Sequence, residues 1–231
     1  MLNDLKRQVC KANKELAEQG VVRFTWGNVS GFDPSMGLYV IKPSGVPYEE
    51  LQPELMVVMS MEGTKVEGRL EPSVDSDIHR AIYMAWPFTV SAIAHTHSTY
   101  AVAYAQAGLP IPAIGTTHAD YFGDEVPVTR PMTPEEIEGE YETNTGNLIV
   151  ATAKDAERVP AVLVERHGPF VWGKTPMDAV KTAVILEEVA KNSYLTAALN
   201  PNALTPLDPA LMERHFARRN GPKAYYGQKN G

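Results

Sequence analysis

Cysteine is nearly absent from this sequence, which has Cys10 alone among its 231 residues. A single cysteine cannot close an intramolecular disulfide, so nothing in the composition points to an oxidising compartment. The N-terminal stretch MLNDLKRQVCKANKE also lacks the apolar core of a secretory signal peptide. These two absences together predict a cytoplasmic location.

Long apolar runs and an excess of basic charge are missing as well. No run approaches the roughly 18 apolar residues that a membrane-spanning helix needs, so we expect no membrane partner. The 21 basic and 28 acidic side chains give a formal net charge of -7, which suits poorly a surface that neutralises nucleic-acid phosphates. We therefore expect no nucleic-acid partner, and any bound phosphate should belong to a small molecule.

Hydrophobic residues make up 44% of the chain, which is enough for one sizeable core at this length. The sequence has no internal repeat, linker or low-complexity tract. We therefore predict a single domain over residues 1–231.

Periodicity indicates where the elements lie in the first half of the chain. Amphipathic spacing predicts a helix over residues 2–19, with Gly20 placed to cap its C-terminal end. Short apolar runs then alternate with turn residues, which predicts an antiparallel meander. The predicted strands are VVRFT (21–25), LYVIK (38–42) and LMVVM (55–59). A helix through IHRAIYMAW, a strand SAIAHTH and a helix from Ser98 to about Ala107 are expected next.

Three later segments begin with Thr-Pro and carry an acidic residue soon after. Threonine can cap a helix, proline suits the first helical position, and an acid favours the positive helix end. The pattern predicts helices starting at Thr133, Thr175 and Thr205. Between the first two lie the strand-like runs PAVLVERHG and PFVWG. Helices combined with a largely antiparallel sheet predict an α/β fold, arranged as a layered α/β/α sandwich.

Two histidines, His95 and His97, end the apolar strand SAIA. Since strand side chains alternate, both imidazoles should point to one face and present two nitrogen ligands together. A divalent ion needs a third ligand from elsewhere. His167 is the best candidate, because it also follows a strand and Gly168 lets backbone approach closely. Taken alone, the His95–His97 pair is explained equally well as solvated or satisfied within a core.

An acidic segment before a predicted helix offers a fourth ligand. Within PSVDSD (72–77), the carboxylates of Asp75 and Asp77 are both candidates, and spacing does not separate them. Either residue could instead cap the helix.

Three segments suit a small anionic group. KPSG (42–45) directly follows a strand and brings an ammonium, a hydroxyl and a glycine N–H together. GNVSG (27–31) is a second polar loop after a predicted strand, and the helix start at Ser73 and Val74 offers free N–H groups. Ordinary turn chemistry explains each of these segments when it is taken singly.

The segments as a set resemble the class II aldolase and adducin-head family, and within it the sugar-phosphate epimerases. The resemblance runs from the first helix to the last ten residues and rests on motifs in the expected order. These are TWGNVSG, IKPSG, PSxD before a helix, HTHS, GTTHADYF, RHGPFVWG and KAYYGQ. One such motif carries little weight, but seven in order are specific. The resemblance implies a class II aldolase-like fold.

The resemblance also implies the make-up of a site. It implies a zinc ion on Asp75, His95, His97 and His167, although histidine with carboxylate also suits manganese or cobalt. It implies that Asp120 and Tyr226 are the catalytic acid/base residues. The other candidates for binding substrate or its phosphate are Gly27, Asn28, Lys42, Ser44, Gly45, Ser73, Val74, Thr116, Glu142, His215 and Arg218. Val74 departs from the family pattern, which has a second serine there, so a hydroxyl contact to phosphate is lost.

The implied activity is epimerisation at C4 of L-ribulose 5-phosphate to D-xylulose 5-phosphate. The C4 hydrogen is not acidic, so inversion requires the C3–C4 bond to be cleaved and re-formed by a retro-aldol and an aldol step. A metal acting as a Lewis acid replaces the lysine Schiff base of other aldolases, and no nicotinamide cofactor is needed. Proton transfer on two opposite faces needs two groups, and Asp120 and Tyr226 fit.

Two alternatives stay open. Aldolases that act on fuculose or rhamnulose phosphate share the histidines but carry a glutamate where Asp75 stands. A non-enzymatic scaffold of the adducin-head type keeps the fold without the metal, although the retained histidines and Asp120 argue against it. Family members are cyclic tetramers, so the resemblance further implies a homotetramer acting on a small phosphorylated pentulose. The tail 221–231 would then complete an active site between subunits.

Overall fold

The N-terminal amphipathic stretch forms a helix that buries Val9, Ala12 and Leu16. The structure is a computed structural model that describes residues 2–221 and 224–226. The helices are α1 (Asn3–Glu18), α2 (Ser76–Ala85), α3 (Thr99–Ala107), α4 (Thr116–Tyr121), α5 (Pro134–Glu138), α6 (Tyr141–Thr152), α7 (Pro176–Leu199) and α8 (Pro209–Arg219). Short 3-10 turns lie at Tyr48–Glu50, Pro53–Leu55 and Pro201–Ala203.

The strands of the described ranges form one seven-stranded sheet in which each neighbouring pair is antiparallel. They are β1 (Asn28–Asp33), β2 (Leu38–Ile41), β3 (Val57–Ser60), β4 (Lys65–Glu67), β5 (Ala92–His95), β6 (Ala161–Val164) and β7 (Gly168–Gly173). Their order across the sheet is β4-β3-β2-β1-β5-β7-β6. Strands β1, β5 and β7 therefore lie side by side near the middle of the sheet.

Helices cover both faces of this sheet. On one face α1, α3 and α7 pack over alternate strand residues such as Val29, Val40 and Ala94. On the other face α2 and α6 pack over residues such as Tyr39 and Ile93. The predicted α/β/α sandwich with an antiparallel sheet is confirmed. No helix in residues 2–221 has the length and apolar character to span a bilayer.

Two element predictions were wrong at the N-terminal side of the sheet. VVRFT (21–25) is not a strand, because Phe24 adopts a left-handed backbone with φ 52° that interrupts any extended ladder. GNVSG (27–31) is not a loop after a strand, because Asn28–Asp33 is itself strand β1 in the sheet centre. Its polar residues do not suggest a strand, and the side chains of Asn28 and Ser30 form hydrogen bonds to α2 and to the segment just before it.

The third Thr-Pro segment also does not begin a helix. Thr133 and Thr175 cap α5 and α7 as predicted, each accepting from the backbone N–H three residues on. Thr205 lies in irregular chain, and α8 begins at Pro209 with Asp208 as its N-cap. The Asp208 carboxylate accepts from two backbone N–H groups, which makes it the stronger cap.

Candidate active site

Three imidazoles converge at the edge where β5 ends. The Nε2 atoms of His95 and His97 are 3.0 Å apart, and one nitrogen from each of His95, His97 and His167 lies within 4.8 Å of the others. Burial, followed by its neighbours His167 and His97, holds the pKa of His95 well below its usual value. Partial burial also lowers the pKa of His97 and of His167. All three are therefore neutral near pH 7, the form that ligates metals.

The β5–β7 pairing fixes the first of these rings. His95 Nδ1 lies 3.0 Å from the carbonyl oxygen of Pro169 on β7. Since a carbonyl can only accept, Nδ1 carries the proton and Nε2 presents its lone pair to the pocket. Phe170 stacks on the same ring with centroids 4.1 Å apart. A backbone carbonyl 74 residues further along the chain thus orients the ligand nitrogen of His95.

His167 reaches the group from the hairpin loop between β6 and β7. The loop is tight, and Arg166 within it has a left-handed φ of 59°. Gly168 lets β7 approach the chain after β5, because a Cβ there would lie 2.9 Å from the Thr96 carbonyl oxygen. The Nδ1 atom of His167 is buried and has no hydrogen-bond partner within the described residues. Three convergent neutral imidazoles fit a divalent cation.

His97 lies beyond the end of β5 and not within the strand. Its ring is near that of Trp26, with centroids 6.2 Å apart. Helix α3 starts two residues later, and the Glu187 carboxylate on α7 accepts from the backbone N–H groups of Tyr100 and Ala101. This contact anchors the start of α3 and so the short segment that carries His97.

The structure separates the two acidic candidates for the fourth ligand. Asp75, the N-cap residue of α2, lines the pocket that contains the histidines. Its Oδ2 accepts from Asn28 Nδ2 at 2.6 Å, and its charge opposes the lowering of the His97 and His167 pKa values. Asp77 instead pairs with Arg80 on α2. Asp75 lies beside the three-histidine group, whose mutually close ligand atoms do not include its carboxylate.

One pocket of about 310 Å³ gathers most of the predicted binding residues. Its lining comprises Thr25, Trp26, Gly27, Asn28, Lys42, Pro43, Ser44, Gly45, Ser73, Val74, Asp75, His95, His97 and His167. Gly27 has φ 93°, and a Cβ there would lie 2.6 Å from the His95 carbonyl oxygen, so no other residue fits. Asn28 donates to Ser73 and Asp75, while its Oδ1 is buried without a partner among the described residues.

Lys42 is the cation of this pocket. Its side chain is almost fully buried, and burial lowers its pKa to about 8. Its Nζ donates to the Pro43 carbonyl oxygen and lies 5.1 Å from the centroid of the Tyr48 ring. The Tyr48 hydroxyl in turn donates to the carbonyl oxygens of Trp26 and Gly27. A buried ammonium beside Ser44 suits a small anion.

A second cluster gathers other predicted site residues around α4 and α8. Arg218 donates from two nitrogens to the Asp120 carboxylate, with Nε at 2.7 Å from Oδ1, and His215 Nδ1 lies 3.2 Å from the same oxygen. Burial alone would raise the pKa of Asp120, but the hydrogen bonds from Arg218 and His215 outweigh it and lower the pKa. The Arg218 guanidinium lies 5.2 Å from the Tyr226 ring centroid.

Within residues 2–221 and 224–226, the second cluster does not contribute to the lining of the histidine pocket. Asp120, His215, Arg218 and Tyr226 are not among the residues that line the histidine pocket. Thr116 is an exposed residue at the start of α4, and Glu142 lies in the first turn of α6, also outside that lining. Residues 222–223 and 227–231, which include the end of KAYYGQ, lie outside the described residues.

The sequence interpretation missed several residues that shape the pocket. Thr25, Trp26 and Pro43 line it, and Tyr48 supports it from behind. Trp26 and Pro43 lie within the motifs named above, but the position of an aromatic residue or a proline along the chain does not indicate that it lines a pocket. Tyr48 lies outside every motif, and only the folded chain brings its hydroxyl to Gly27.

Comparisons with known proteins identify the family and agree with the fold. The Class II Aldolase and Adducin N-terminal domain family matches residues 7–194. A curated relative from Salmonella paratyphi B, named L-ribulose-5-phosphate 4-epimerase UlaF, is 51% identical over 99% of this chain and 100% of its own length. A solved L-fuculose 1-phosphate aldolase has 28% identity and a TM-score of 0.77, covering 93% of this chain and 95% of its own. The corresponding aldolase from Thermus Thermophilus has 26% identity and a TM-score of 0.66, covering 86% and 98%. This chain therefore belongs to the class II aldolase and adducin N-terminal domain family.

Proposed function

We propose that this chain is a metal-dependent epimerase that inverts C4 of L-ribulose 5-phosphate to give D-xylulose 5-phosphate. The observation that carries the proposal is the 51% identity over the whole length of a relative named for that activity. The pocket supports it, because nitrogen ligands, a carboxylate and anion-binding groups line one cavity. A sugar phosphate has the oxygens and the charge that such a lining recognises.

The resident cation that we propose is zinc, held by His95, His97 and His167 with Asp75 as the fourth ligand. Three imidazole nitrogens and one carboxylate oxygen form a ligand set typical of zinc, although manganese and cobalt accept the same ligands. When bound, a divalent cation supplies Lewis-acid stabilisation of negative charge on substrate oxygens. We expect no nicotinamide cofactor, because bond cleavage and re-formation involve no net redox change.

The phosphate end of the substrate would lie against the segments 42–45 and 73–74. Lys42 contributes charge, Ser44 and Ser73 contribute hydroxyls, and Gly45 permits close approach of a backbone N–H. Val74 presents an exposed apolar side chain in the same pocket, so it offers only its backbone N–H. Asn28 Oδ1, buried and unpartnered among the described residues, can accept from a substrate hydroxyl.

Asp120 and Tyr226 are the proposed proton-transfer residues at the C4 oxygen. Arg218 and His215 keep Asp120 ionised, which makes its carboxylate a proton acceptor. The Tyr226 hydroxyl is a proton donor, and the Tyr226 side chain is 58% exposed and thus accessible to a ligand on a facing surface.

Because both residues lie outside the histidine pocket of their own chain, we propose that a second copy supplies them. A cyclic homotetramer would join the α4–α8 surface of one subunit to the pocket of the next. The tail 221–231 would complete the site there. Thr116, Glu142, His215 and Arg218 would then contact substrate or support the two acid/base residues. The cytoplasmic location likewise stays a prediction.

The direct test is turnover of L-ribulose 5-phosphate by protein that has been chelated and then reconstituted with zinc. We expect D-xylulose 5-phosphate to form only after reconstitution. Stoichiometric release of dihydroxyacetone instead of the epimer would assign the chain to the aldolases. A preparation that binds under about half an equivalent of transition metal after gentle purification would favour the scaffold alternative.

A further inference from the structure

The pairing between strands β1 and β2 ends one residue earlier than their register would allow. Ser30 lies opposite Ile41 in this antiparallel pair, so the next residues along, Val29 and Lys42, would face each other. The Phe32 N–H donates across to Ser91, on the β5 side, and backbone groups alternate in direction along a strand. The N–H and C=O of Val29 therefore point toward β2, which ends at Ile41 and does not include Lys42.

The side chain of Asn13 on α1 occupies that position. Its Oδ1 accepts from the Val29 N–H at 2.8 Å, and its Nδ2 donates to the Val29 carbonyl oxygen at 3.0 Å. Nδ2 also donates to the Val9 carbonyl oxygen at 2.8 Å. Asn13 is fully buried, and these three bonds satisfy an amide that would otherwise be costly among apolar neighbours. The Asn13 side-chain amide thus bonds the Val29 backbone where a peptide group of the neighbouring strand β2 would otherwise do so.

The chain released from β1 pairs with a different segment. The Lys42 carbonyl oxygen accepts from the Ser73 N–H at 3.0 Å, and the Ser44 N–H donates to the backbone carbonyl oxygen of Glu71 at 3.0 Å. An isolated antiparallel bridge joins Pro43 to Pro72 between these bonds. This exchange of partners brings the segments 42–45 and 73–75 to opposite sides of one pocket.

We propose that Asn13 is a positioning residue for the anion-binding half of this pocket. It holds the free edge of β1 at Val29, so that Lys42 leaves the sheet and pairs with Ser73. Without the amide, the unpaired N–H and C=O of Val29 would draw the Lys42 backbone back into the ladder and pull it from Ser73. The inference rests on the proposed function, because it takes the pocket to be the site of the substrate phosphate.

The test measures the dissociation constant for inorganic phosphate with zinc-loaded protein, by calorimetry, for wild type and Asn13→Ala. We expect phosphate binding to weaken by roughly tenfold in Asn13→Ala while zinc stoichiometry stays at the wild-type value. In turnover assays KM should rise by a similar factor with little change in kcat. Amide exchange of the Val29 N–H should also become faster.

Leu16→Ala is the matched control, because Leu16 is equally buried on α1 but its apolar side chain cannot form a hydrogen bond with the β1 backbone. It should lower stability and leave phosphate affinity within about twofold of wild type. Equal phosphate affinity in Asn13→Ala and wild type, or equal weakening in Leu16→Ala, would overturn the proposal. If Asn13→Ala does not fold, Asn13→Asp keeps the shape and the acceptor but removes both donations. Failure of both to fold, with Leu16→Ala folded, would make the role purely structural and also overturn it.

Three results keep this inference separate from the proposed function. Epimerase turnover with unchanged phosphate binding in Asn13→Ala rejects the positioning role alone. Wild-type protein that turns over the sugar phosphate but does not bind inorganic phosphate rejects the inference as well. If the wild-type protein shows no turnover but Asn13→Ala still binds phosphate more weakly than wild type, the epimerase proposal is rejected and the positioning role of Asn13 stands.

Discussion

The two tyrosines near the C-terminus differ in their surroundings although they are neighbours in the chain. Both backbone N–H groups donate to the Arg218 carbonyl oxygen, at 2.8 Å for Tyr225 and 2.9 Å for Tyr226. The guanidinium groups of Arg218 and Arg219 lie over the Tyr226 ring, 5.2 and 5.1 Å from its centroid, whereas within the described residues the Tyr225 ring has no such cation–π contact. Substituting each tyrosine in turn therefore compares two residues at nearly the same place in the chain that differ in their contacts with arginine.

We predict that Tyr226→Phe lowers kcat by a factor on the order of 10² or more, because the proton-transferring hydroxyl is lost. Zinc content should be unchanged, since Tyr226 does not line the histidine pocket. Steady-state kinetics and metal analysis of the same preparation test both statements. Tyr225→Phe is the control and should keep near wild-type turnover. If Tyr226→Phe keeps the kcat of the wild-type enzyme, Tyr226 is a structural residue and not an acid/base.

At the scale of elements, helix α7 has a clearly defined start. The Thr175 hydroxyl oxygen accepts from the Asp178 N–H at 3.1 Å, and Pro176 occupies the first helical position. The helix packs on α1, α3 and strands β5 and β7, and it also carries Glu187 to the start of α3. Its N-terminal cap therefore affects the stability of the layer that covers the sheet.

We predict that Thr175→Ala lowers the free energy of unfolding by about 1 kcal/mol, the usual cost of losing a threonine cap. Urea unfolding at one fixed protein concentration measures the change. Thr196→Ala in the same helix is the control. Its hydroxyl only donates back to the Asn192 carbonyl oxygen, so stability should stay equal or rise slightly. Equal losses in the two variants would show that the cap contributes nothing specific.

At the scale of the whole molecule, the proposed site needs residues from two clusters that are separate within one chain. His97→Ala removes a ligand from the pocket, and Tyr226→Phe removes a hydroxyl from the α8 side. If neighbouring subunits share each site, co-expression of the two inactive variants should restore activity. In a random cyclic tetramer about a quarter of the sites would have both native residues. Differently tagged subunits and kcat per site measure this, and no recovery would place the complete site in one chain.

Acid stability is a second property of the whole molecule. Burial lowers the pKa of His79 to about 3 and also lowers the pKa of His118, whereas the unfolded value is 6.5. His79 therefore stays neutral in the fold, and the folded His118 ring takes up its proton at a lower pH than the unfolded ring does. The free energy of unfolding should fall as pH drops from 7 toward 5, by up to about 1.4 kcal/mol per pH unit for each histidine.

Urea midpoints between pH 5 and 7 test this dependence. His118→Gln should flatten it, because the glutamine amide can still donate to the Asp124 carbonyl oxygen that His118 Nε2 contacts but does not titrate. A slope that is unchanged in His118→Gln would contradict the assignment. Asp120 contributes below this range, because its pKa is depressed below the usual 3.8 and its stabilising effect is lost as pH falls from 3.8 through the lower folded pKa.

Local spacing was sufficient for much of the fold. The period of α1, the caps at Thr133 and Thr175, and the runs LYVIK and LMVVM all correspond to elements of the structure. Strand β1 was not predictable in this way, because its polar residues are stable in a central strand only through partners on α2. Ser30, for example, contacts His79 Nδ1 and the Tyr83 hydroxyl at 2.6 Å each. Such compensation depends on chain segments far apart in sequence.

The amino-acid sequence by itself determined which residue types were available: three histidines, a carboxylate before α2, and polar loops that motif order relates to one family. Only the tertiary structure decided how they combine. It placed Asp75 and not Asp77 in the histidine pocket, oriented His95 Nε2 through the Pro169 carbonyl, and set the Asn13 amide against Val29 where β2 ends. The physical reason is that ligand geometry is set by backbone pairing across the sheet, which is non-local, whereas spacing along the chain records only local geometry.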